Sequence, residues 1–484
     1  MGKFYVTTPI FYVNDKPHIG TAYAVIVADI LARWHKIKGD DVFFLTGTDE
    51  HGEKIEKSAE KMGKSPREFV DEIAEKFKST WKELDIQYDR FIRTTDKDHE
   101  EAVAVMTDLI NKNGDIYRGE YEGWYCIPDE TFLTELELKD GKCPECGREV
   151  KKMKEENYFF RLSRYRDKLL ELYSSNSTFV YPEFRLHEVE NRVKEGLHDL
   201  DITRKSVKWG IPFELDKSFT VYVWLDALTN YLSGIGWPNK ENFNELWSNS
   251  VHVVGKEINW FHSVIWPAFL MSAGISPPKQ VLVHGWWTIN GKKISKSFGN
   301  AIDPIDLVKR YSSDALRYAL MKEKRIWDDG DFSEDSLKAR INGELAADLG
   351  NLVYRTLTLA EKFDGEFKGK PELESKLKLD KLTEAMDGFD TYLGLSIIWE
   401  FVKESNRYVT EKEPWKLKGE ELGTVLYNLL EAIRIIAILV SPFIPHTSNK
   451  ILSQLGVEHG KLSDCRFTKI NYKPKKGDPL FKKI

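Results

Sequence analysis

The first fifty residues constrain the fold most, because strand-like and helix-like patterns alternate there. Residues 3–13 (KFYVTTPIFYV) and 41–46 (DVFFLT) are rich in β-branched and aromatic side chains, which is typical of buried strands. Residues 18–38, between them, carry apolar side chains at helical spacing and end at a glycine. A strand, a helix and a strand in this order predict a βαβ unit of a Rossmann-like parallel sheet, whose ligands bind at the carboxyl ends of the strands. His18 and Asp49 both follow such ends.

Length and composition bound the class of protein. At 484 residues the chain is too long for one core, so we expect two to four domains. The formal net charge of −6 excludes a global basic field, so any RNA contact must come from local patches, and no DNA partner is expected. The chain opens without a signal-peptide pattern, and the apolar run at residues 435–440 is too short to span a bilayer. We therefore expect a cytoplasmic protein without a membrane partner.

Changes in composition and in apolar periodicity along the chain indicate where its domains begin and end. Residues 115–217 are rich in tyrosine, charge and short strand-like pieces, which favours an insertion between two halves of the sheet. Strand-like runs return at residues 219–225, 252–254 and 281–284, and helical spacing dominates from Ser336 onward. We therefore predict five segments, which are the first half of a Rossmann catalytic domain (1–114), the insertion (115–217), the second half (218–290), a connector (291–335) and a helical bundle (336–484).

A basic loop follows the second half of the sheet. Residues 292–300 (KKISKSFGN) hold three lysines, two serines and a glycine, directly after Asn290-Gly291, a strong tight-turn signal. A short, positively charged loop suits a triphosphate whose charge must be neutralised as bonds break. For this string alone, a solvated basic loop would be the better interpretation. The turn Pro17-His18-Ile19-Gly20-Thr21 changes that, because two nucleotide-handling signals at opposite ends of one α/β domain seldom coincide by chance.

This pair of motifs resembles the two signatures of class I aminoacyl-tRNA synthetases, usually written HIGH and KMSKS. The wider match is similar to the methionyl-tRNA synthetase family and extends over nearly the whole chain. The resemblance implies that the chain attaches methionine to tRNA(Met) through methionyl-adenylate, with ATP and Mg²⁺ as the substrate complex. It also implies that the all-α bundle binds the anticodon. Many relatives carry a further C-terminal tRNA-binding and dimerisation domain that is not seen here, so we expect a monomer, with a separate tRNA-binding subunit in trans as the alternative.

The resemblance assigns catalytic and ATP-binding roles to both motifs. The catalytic residues implied are His18, Thr21, Lys293 and Lys296, and those implied for ATP binding are His18, Gly20, Gly255, Glu257 and Lys296. A glycine at a helix start lets the backbone approach a nucleotide, and a helix N-terminus favours its phosphates. Judged alone, His18 would more commonly be an N-terminal helix cap. Thr21 stands where the family has its second histidine, and Ile294 where it has methionine. The threonine keeps a hydroxyl donor but loses reach.

The resemblance also implies an amino-acid pocket, made of Ile10, Tyr12, Asp49, Trp224, Ala227, Tyr231, Phe261 and His262. Asp49 can pair with the substrate ammonium, and the apolar members offer a slot for an unbranched thioether. Tyr231 and His262 would set the polar limit of this slot near the sulfur. Any one of these aromatic residues is by itself better explained as core, and only the motif context favours a site.

Three of the four cysteines cluster in the insertion. Cys126-Ile127-Pro128-Asp129 and Cys143-Pro144-Glu145-Cys146 form two four-residue knuckles, a pattern typical of a tetrahedral structural Zn²⁺ site. Asp129 stands where many zinc-bearing relatives have cysteine, so the expected ligands are Cys126, Asp129, Cys143 and Cys146. An empty knuckle is a comparably good interpretation. Cys465 is remote in the sequence, and we expect a buried or free thiol there.

Three residues of the bundle are candidates for anticodon recognition. Asn351 and Arg355 stand four residues apart on one predicted helix, and Trp415 follows a later helix. Amide, guanidinium and indole groups can bind and stack on the splayed bases of an RNA loop. In the family the matching three residues recognise the CAU anticodon. Judged from the helices alone, a surface pair and a core tryptophan would be expected.

Several alternatives to this function stay open at the level of the sequence. Within the class, the chain could be a synthetase for cysteine or another apolar amino acid. A non-catalytic tRNA-binding relative agrees with the substitution at Thr21 but not with the Lys293 and Lys296 pair. A nucleotidyltransferase acting on a small cofactor would share the sheet and the histidine turn, but it would have no use for the bundle. The insertion is too short for a hydrolytic editing module, so discrimination must come from the pocket itself.

Overall fold

The structure of the chain, a computed structural model, describes residues 2–14, 16–127, 131–133, 135, 138–144, 147–241, 243–294 and 302–484. For residues 121, 122, 131, 132, 153–155 and 293 it describes the backbone only. The strands of these ranges, numbered along the chain, are β1 (Lys3–Tyr12), β2 (Asp41–Asp49), β3 (Arg90–Arg93), β4 (Ile116–Cys126), β5 (Thr131–Leu133), β6 (Lys151–Phe160), β7 (Val180–Tyr181), β8 (Leu200–Asp201), β9 (Thr203–Arg204), β10 (Thr220–Val221), β11 (Ser250–Gly255), β12 (Gln280–His284), β13 (Trp287–Ile289), β14 (Lys292–Lys293) and β15 (Gly330–Asp331).

The α-helices of the same ranges are α1 (Ile19–Lys38), α2 (Glu53–Lys61), α3 (Pro66–Glu83), α4 (Lys97–Lys112), α5 (Arg166–Ser175), α6 (Glu183–Glu195), α7 (Val223–Ser233), α8 (Phe243–Trp247), α9 (Trp266–Ser272), α10 (Pro304–Tyr311), α11 (Ser313–Glu323), α12 (Glu334–Arg340), α13 (Asn351–Ala360), α14 (Leu379–Asp387), α15 (Thr391–Lys412), α16 (Gly419–Val440) and α17 (Pro445–Leu455). Two π-helical segments, Phe261–Ile265 and Ile341–Gly350, lead directly into α9 and α13.

A six-stranded parallel sheet organises the catalytic part, in the order β3-β2-β1-β11-β12-β7. Its side chains alternate between two separate cores. Phe4 and Val6 of β1 pack in one core with α1, while Tyr5 packs in the other core with α7. Because both faces are covered, the strands are apolar nearly throughout, which is why they could be recognised in the sequence.

The strand order reverses between β1 and β11. The chain moves from β1 outward to β2 and β3 on one side, and from β11 outward to β12 on the other. In open parallel sheets such a reversal leaves a crevice at the carboxyl ends of the two central strands, where ligands bind. The turn after β1 leads to His18, and the turn after β11 leads to Glu257.

The predicted insertion is built around a four-stranded antiparallel sheet in the order β5-β4-β6-β8. The long β4 and β6 hairpin arms supply most of its pairing. One strand from the same stretch of sequence, β7, instead pairs in parallel with β12 and forms the outer edge of the central sheet. Residues 115–217 therefore contribute to both sheets.

The residues at its two ends set the bounds of helix α1. His18 is its N-cap, and Gly39 ends it in the left-handed conformation, with φ of 93°. Fourteen of its twenty residues are buried, including Asp29 and Trp34, because α1 is packed between the sheet, the connector and the bundle. The Trp34 indole and the Lys38 ammonium both donate to the Asp387 carboxylate of α14. Helix α1 thus joins the crevice to the bundle.

The strand expected at residues 219–225 is wrong for most of its length. Strand β10 covers Thr220–Val221 only, and α7 begins at Val223. The carbonyl of Tyr222 accepts from the backbone N–H groups of Leu225 and Asp226, which turns the chain into a helix. Residues 219–225 (FTVYVWL) are mostly β-branched or aromatic and look like a buried strand, and the helical spacing of Asp226, Thr229, Asn230 and Ser233 begins only after them.

The bundle is organised around α16. Its apolar residues make it long and hydrophobic enough to cross a membrane by length and composition, with a mean hydropathy of 1.7 over 18 residues. In the structure 94% of that window is buried inside the protein, so α16 is the core helix of the bundle. The short run at residues 435–440 is the end of this 22-residue helix. Glu431 and Arg434 form a buried ion pair on this helix.

A buried arginine joins three parts of the molecule. Arg317 of α11 pairs with Asp29 of α1 at 2.6 Å, and neither side chain is exposed to solvent. The same guanidinium donates to the carbonyls of Pro442 and Phe443, at the end of α16, and to that of Leu84, at the end of α3. The catalytic domain, the connector and the bundle therefore share one buried hydrogen-bond network.

Candidate active site

A cavity of about 2130 Å³ opens at the carboxyl ends of the central strands, where the strand order reverses. The structure brings to this one cavity all the residues implied for methionine, and with them most of those implied for ATP and catalysis. The first set is Ile10, Tyr12, Asp49, Trp224, Ala227, Tyr231, Phe261 and His262, and the second is His18, Gly20, Thr21, Gly255 and Glu257. Residues distant in the chain thus face one space.

His18 is both a helix cap and part of the cavity wall. Its Nδ1 accepts from the backbone N–H of Gly20 at 3.1 Å. An accepting Nδ1 leaves the proton of a neutral imidazole on Nε2, so Nε2 is the atom that can donate to a ligand. Gly20 is required for this geometry, because a Cβ there would lie 2.9 Å from Cε1 of His18.

The hydroxyl of Thr21 completes the same cap. Its Oγ1 accepts from the backbone N–H of His18 at 2.9 Å and donates to the carbonyl of His18 at 2.7 Å. The two residues form a capping box, in which each side chain satisfies backbone groups of the other end of the first turn. Thr21 is therefore engaged in holding the His18 turn.

The described residue before the basic loop lines the same cavity as His18, and the first described residue after the loop contacts the His18 turn. Asn290 and Gly291 have positive φ values of 52° and 70° and form a two-residue hairpin turn between β13 and β14, as predicted. Beyond this hairpin, Ile294 is buried and lines the cavity. At the other end of the loop, the carbonyl of Ile302 accepts from the N–H of Ile19 at 3.1 Å. Residues 295–301, with Lys296, lie outside the described residues, and Lys293 is described by its backbone only.

An ion pair also joins the segment before His18 to the residues that follow the basic loop. Lys16, just before the His18 turn, pairs with Asp303 at 2.6 Å, and Asp303 caps the N-terminus of α10. The residues that follow the loop, Ile302 and Asp303, are therefore both joined to the segment that contains His18.

Two stacked rings form one wall of the amino-acid pocket. The rings of Trp224 and Phe261 are 3.7 Å apart and almost parallel, with an interplanar angle of 8°. Phe261 and His262 belong to the π-helical segment that follows β11, a distortion that often occurs at functional sites. The wall is thus flat, aromatic and apolar.

The polar end of the pocket is a neutral tyrosine–histidine pair. Nδ1 of His262 donates to the carbonyl of Ile258 at 2.9 Å, so Nε2 accepts from the hydroxyl of Tyr231 at 2.7 Å. Burial lowers the pKa of His262 to about 4, so the ring is uncharged at neutral pH. The ring of His252 stacks on Tyr231 at 4.1 Å, and burial lowers the pKa of His252 as well. This end of the pocket is polar but carries no charge.

A buried charge network lies next to Asp49 and was not predicted from the sequence. Nδ1 of His51 lies 2.7 Å from Asp226, and Nε2 of His99 lies 2.8 Å from the same carboxylate. Burial alone would lower the pKa of His51, but the Asp226 carboxylate outweighs it and raises that pKa. Asp226 is on α7, the helix that presents Ala227 and Tyr231 to the pocket. The network therefore fixes the end of β2 against α7.

Two further lining residues also escaped prediction. The indole of Trp286 donates to the Glu257 carboxylate at 2.6 Å. The ammonium of Lys54 lies 5.6 Å from the ring centroid of Tyr12, at the cavity wall. Trp286 could have been found, because it follows the strand-like run at residues 281–284, at the carboxyl end where ligands bind.

A buried lysine lies behind the part of the cavity wall that Tyr23 and Trp287 form. The ammonium of Lys324 is packed over the rings of Tyr23 and Trp287, at 4.4 and 5.1 Å, and both rings line the cavity. It donates to the carbonyl of Asp328 at 2.6 Å. Burial lowers the pKa of Lys324 to about 7, against the opposing effect of the Asp328 and Asp329 carboxylates and with a small contribution from Lys256.

Comparison with known proteins decides the family. Residues 4–154 and 148–357 match the model of class I tRNA synthetases (M), and residues 376–480 match the anticodon-binding domain of tRNA ligases. The methionine–tRNA ligase of Thermotoga maritima is 48% identical over 505 residues, which cover 100% of this chain and 80% of the relative. The chain belongs to the methionyl-tRNA synthetase family. The methionine–tRNA ligase of Bacillus subtilis is 42% identical, over 99% of this chain and 78% of the relative.

Solved structures agree with this family. The Mycobacterium tuberculosis methionyl-tRNA synthetase in complex with methionyl-adenylate has a TM-score of 0.94 and is 38% identical, over 99% of this chain and 100% of that one. The free state of the same synthetase has a TM-score of 0.88 and is 35% identical, over 100% of this chain and 98% of that one. The predicted architecture, a parallel-sheet catalytic domain followed by an anticodon-binding helical bundle, is confirmed, and the chain is a class I ligase.

The zinc knuckle that many methionyl-tRNA synthetases carry is described in part. Cys126 ends β4 and Cys143 follows the bridge between Lys139 and Lys142, and both cysteines are buried in one small cluster with Leu133. Asp129 and Cys146 lie outside the described residues. Within the described part of the chain there is no group of three or more metal-ligating side chains. Two buried sulfurs in a small apolar cluster fit a structural Zn²⁺ site. Cys465 is buried in the bundle, as expected.

The residues that match the family's anticodon readers share an exposed surface of the bundle. Asn351 and Arg355 are both exposed and lie one helical turn apart on α13. The Arg355 guanidinium lies 5.4 Å from the ring centroid of Trp415. Trp415 is 51% exposed, so it is not the core residue that its type alone would suggest. A stacked guanidinium and indole on the surface suit unpaired RNA bases.

Proposed function

We propose that this chain attaches methionine to tRNA(Met) in two steps. Methionine and Mg-ATP give methionyl-adenylate and pyrophosphate, and the 3′-terminal adenosine of the tRNA then takes the methionyl group and releases AMP. One observation carries the proposal most directly. The His18 turn, Ile294 at the start of the basic loop and the Trp224–Phe261 wall all line one cavity at the reversal of the strand order, and Ile302, which follows the loop, is hydrogen-bonded to Ile19 of the His18 turn.

The first step needs no general base. The methionine carboxylate is already ionised, and its oxygen attacks the α-phosphorus while the bond to the pyrophosphate oxygen breaks. Rate enhancement must then come from positioning and electrostatics. We assign the Nε2 proton of His18 to the α-phosphate and the Lys296 ammonium to the departing pyrophosphate, with Lys293 as a supporting cation. Gly20, Gly255 and Glu257 contact ATP in this proposal, Glu257 through the ribose.

The pocket suits methionine better than other amino acids. Asp49 pairs with the substrate ammonium, and the apolar wall receives the thioether, since sulfur beside an aromatic edge gains about 0.3–1.5 kcal/mol. The Tyr231 hydroxyl is already bonded to a neutral His262, so the far end of the pocket offers no charge to an ionic side chain. The pocket therefore suits an unbranched, uncharged and polarisable side chain, and methionine has such a side chain.

The second step needs the tRNA to be selected. We assign the anticodon to Asn351, Arg355 and Trp415, and a structural Zn²⁺ to Cys126, Asp129, Cys143 and Cys146, where it would fix the shape of the insertion. We further propose a monomeric, cytoplasmic enzyme. Any tRNA-binding subunit added in trans would extend the RNA contacts without altering the pocket.

The test is amino-acid-dependent exchange of pyrophosphate with ATP, run separately with each of the twenty amino acids. We expect exchange with methionine alone, and about one zinc per chain measured on the same sample. Exchange that depends on cysteine or another apolar amino acid would replace the proposed substrate, and no exchange with any amino acid would favour a non-catalytic tRNA-binding protein.

A further inference from the structure

The cavity is larger than two small substrates need. Small-molecule pockets usually enclose about 300–1,000 Å³, and this cavity encloses about 2130 Å³. Its lining includes residues that lie in sequence between the long strands β4 and β6 of the insertion, as well as residues of α6 and of the segment after α6. We call this part of the cavity the outer chamber, and its lining residues are Leu133, Pro144, Arg148, Arg192, Leu197 and Trp260.

One cation of α6 differs from the others. On this helix Arg185 pairs with Glu188, His187 lies beside Glu183 and Glu190, and Lys194 pairs with Glu190. Arg192, which is exposed, has no carboxylate within ion-pairing distance in the described part of the chain. Its guanidinium instead lies 4.0 Å from the ring centroid of Trp260. A charge without an ion-pair partner among the described residues thus lies over an indole at the chamber wall.

This pair lies close to the reacting end of the pocket. Trp260 directly precedes Phe261, whose ring stacks on Trp224. A ligand lying on Arg192 and Trp260 would therefore approach the aromatic wall from the side of the insertion. The His18 turn and the basic loop, assigned above to the phosphates of ATP, belong to other elements of the cavity.

We propose that Arg192 and Trp260 form a docking platform for the unpaired 3′ end of the tRNA during the transfer step. A guanidinium stacked on an aromatic ring offers one charge for a phosphate and a flat surface for a base, and single-stranded nucleic acid is bound by that combination. The cavity volume of about 2130 Å³ leaves room for a third ligand beside ATP and methionine, as the transfer step requires. This inference rests on the proposed function, because it concerns the second of its two steps.

The test separates the two steps with three variants. Arg192→Gln removes the charge from an exposed position, and Trp260→Leu removes the stacking surface. Lys194→Gln is the matched control, since it removes an exposed charge from the same helix at a residue that is ion-paired and does not line the cavity. The readouts are methionine-dependent pyrophosphate exchange and single-turnover transfer from preformed methionyl-adenylate to tRNA. A minihelix that ends in the same unpaired 3′ sequence and lacks the anticodon serves as a second acceptor.

We expect Arg192→Gln to slow transfer about tenfold, to both the full tRNA and the minihelix, and to weaken the salt dependence of transfer. Pyrophosphate exchange should keep the parent rate and the parent KM for ATP, and Lys194→Gln should match the parent throughout. A raised KM for ATP in Arg192→Gln would instead assign the platform to ATP phosphates, and unchanged transfer would remove its role; either result overturns the inference. Absence of methionine-dependent exchange in the parent would be a failure of the proposed function itself.

Discussion

The backbone N–H of Ile19 donates to the carbonyl of Ile302 at 3.1 Å, although the two residues belong to opposite ends of the catalytic part of the chain. Ile19 is the first residue of α1, next to His18, and Ile302 follows the basic loop. Ile294, the last described residue before the loop, is buried in the wall of the cavity that His18 also lines. The described residues on both sides of the loop therefore belong to the same region of the fold as the His18 turn.

Lys296→Ala should therefore lower pyrophosphate exchange about 100- to 1,000-fold, because a cation that stabilises charge developing in the transition state is lost. Methionine binding, measured by equilibrium dialysis, should change little. Lys292→Ala is the matched control, since Lys292 is an exposed lysine of the same hairpin, and it should retain most of the activity. Equal exchange rates in the Lys296 variant and the parent would remove its catalytic assignment.

Gly20→Ala should disrupt the His18 cap. The added Cβ would come within 2.9 Å of the imidazole, which must rotate and lose its bond from the Gly20 N–H. We expect pyrophosphate exchange to fall about 100-fold, as small misplacements of a positioning group can do, while the melting temperature falls by only a few degrees. Gly343→Ala, where a Cβ meets nothing within 4 Å, is the control for the substitution itself. A Gly20→Ala enzyme of normal activity would show that the ring orientation is not needed.

Trp415→Ala should separate recognition from activation. Because the indole is exposed on the bundle, its loss should leave the fold and the pyrophosphate exchange intact, while aminoacylation falls about tenfold to 100-fold through lost stacking on the anticodon. Leu393→Ala, at another exposed apolar residue of the bundle, should leave both reactions unaltered. If exchange and aminoacylation fall together in Trp415→Ala, the anticodon assignment is wrong.

Lys324 predicts a pH dependence of stability. Its pKa is about 7 in the folded protein and 10.5 in an unfolded chain, so between these values the unfolded state binds more protons. The free energy of unfolding should then receive from Lys324 a contribution that rises from about pH 7 to about pH 10. In Lys324→Met this contribution is absent. We expect the variant to gain in melting temperature relative to the parent at pH 6.5 and to lose that advantage at pH 9.5. A difference between the two proteins that does not depend on pH would contradict the shifted pKa.

The sequence predicted the parts of the fold that depend on local pattern. Strand β1, helix α1 and strand β2 follow from apolar periodicity and a C-terminal glycine, and the β13–β14 hairpin follows from Asn290-Gly291. The elements that were predicted wrongly or missed depend on tertiary contacts. Helix α7 begins inside the run FTVYVWL, whose β-branched and aromatic residues look like a strand, and its polar residues Asp226, Thr229, Asn230 and Ser233 are buried by tertiary contacts rather than exposed. The two-residue strand β7 gains its place only by pairing with β12.

The residues of the site also fall into those that the sequence predicted and those that only the structure shows. Motifs and family resemblance named the residues that line the cavity, because those residues stand in short recognisable strings. The buried pairing of His51 with Asp226 joins positions far apart in the chain, and nothing local to either residue indicates it. The capping role of Thr21 lies between these two cases. It depends on the neighbouring His18, but it can be recognised only from the hydrogen bonds of the first turn in the structure.

Arg317 has one more consequence. Its guanidinium is locked to α1, to the end of α3 and to the end of α16, and removing a partner from such a buried pair costs about 3–5 kcal/mol. The bundle is therefore not free to swing away from the catalytic part. Under the proposed function, the fold then fixes the distance between the amino-acid pocket and the Arg355–Trp415 surface, so we expect only an RNA whose length matches that distance to be charged.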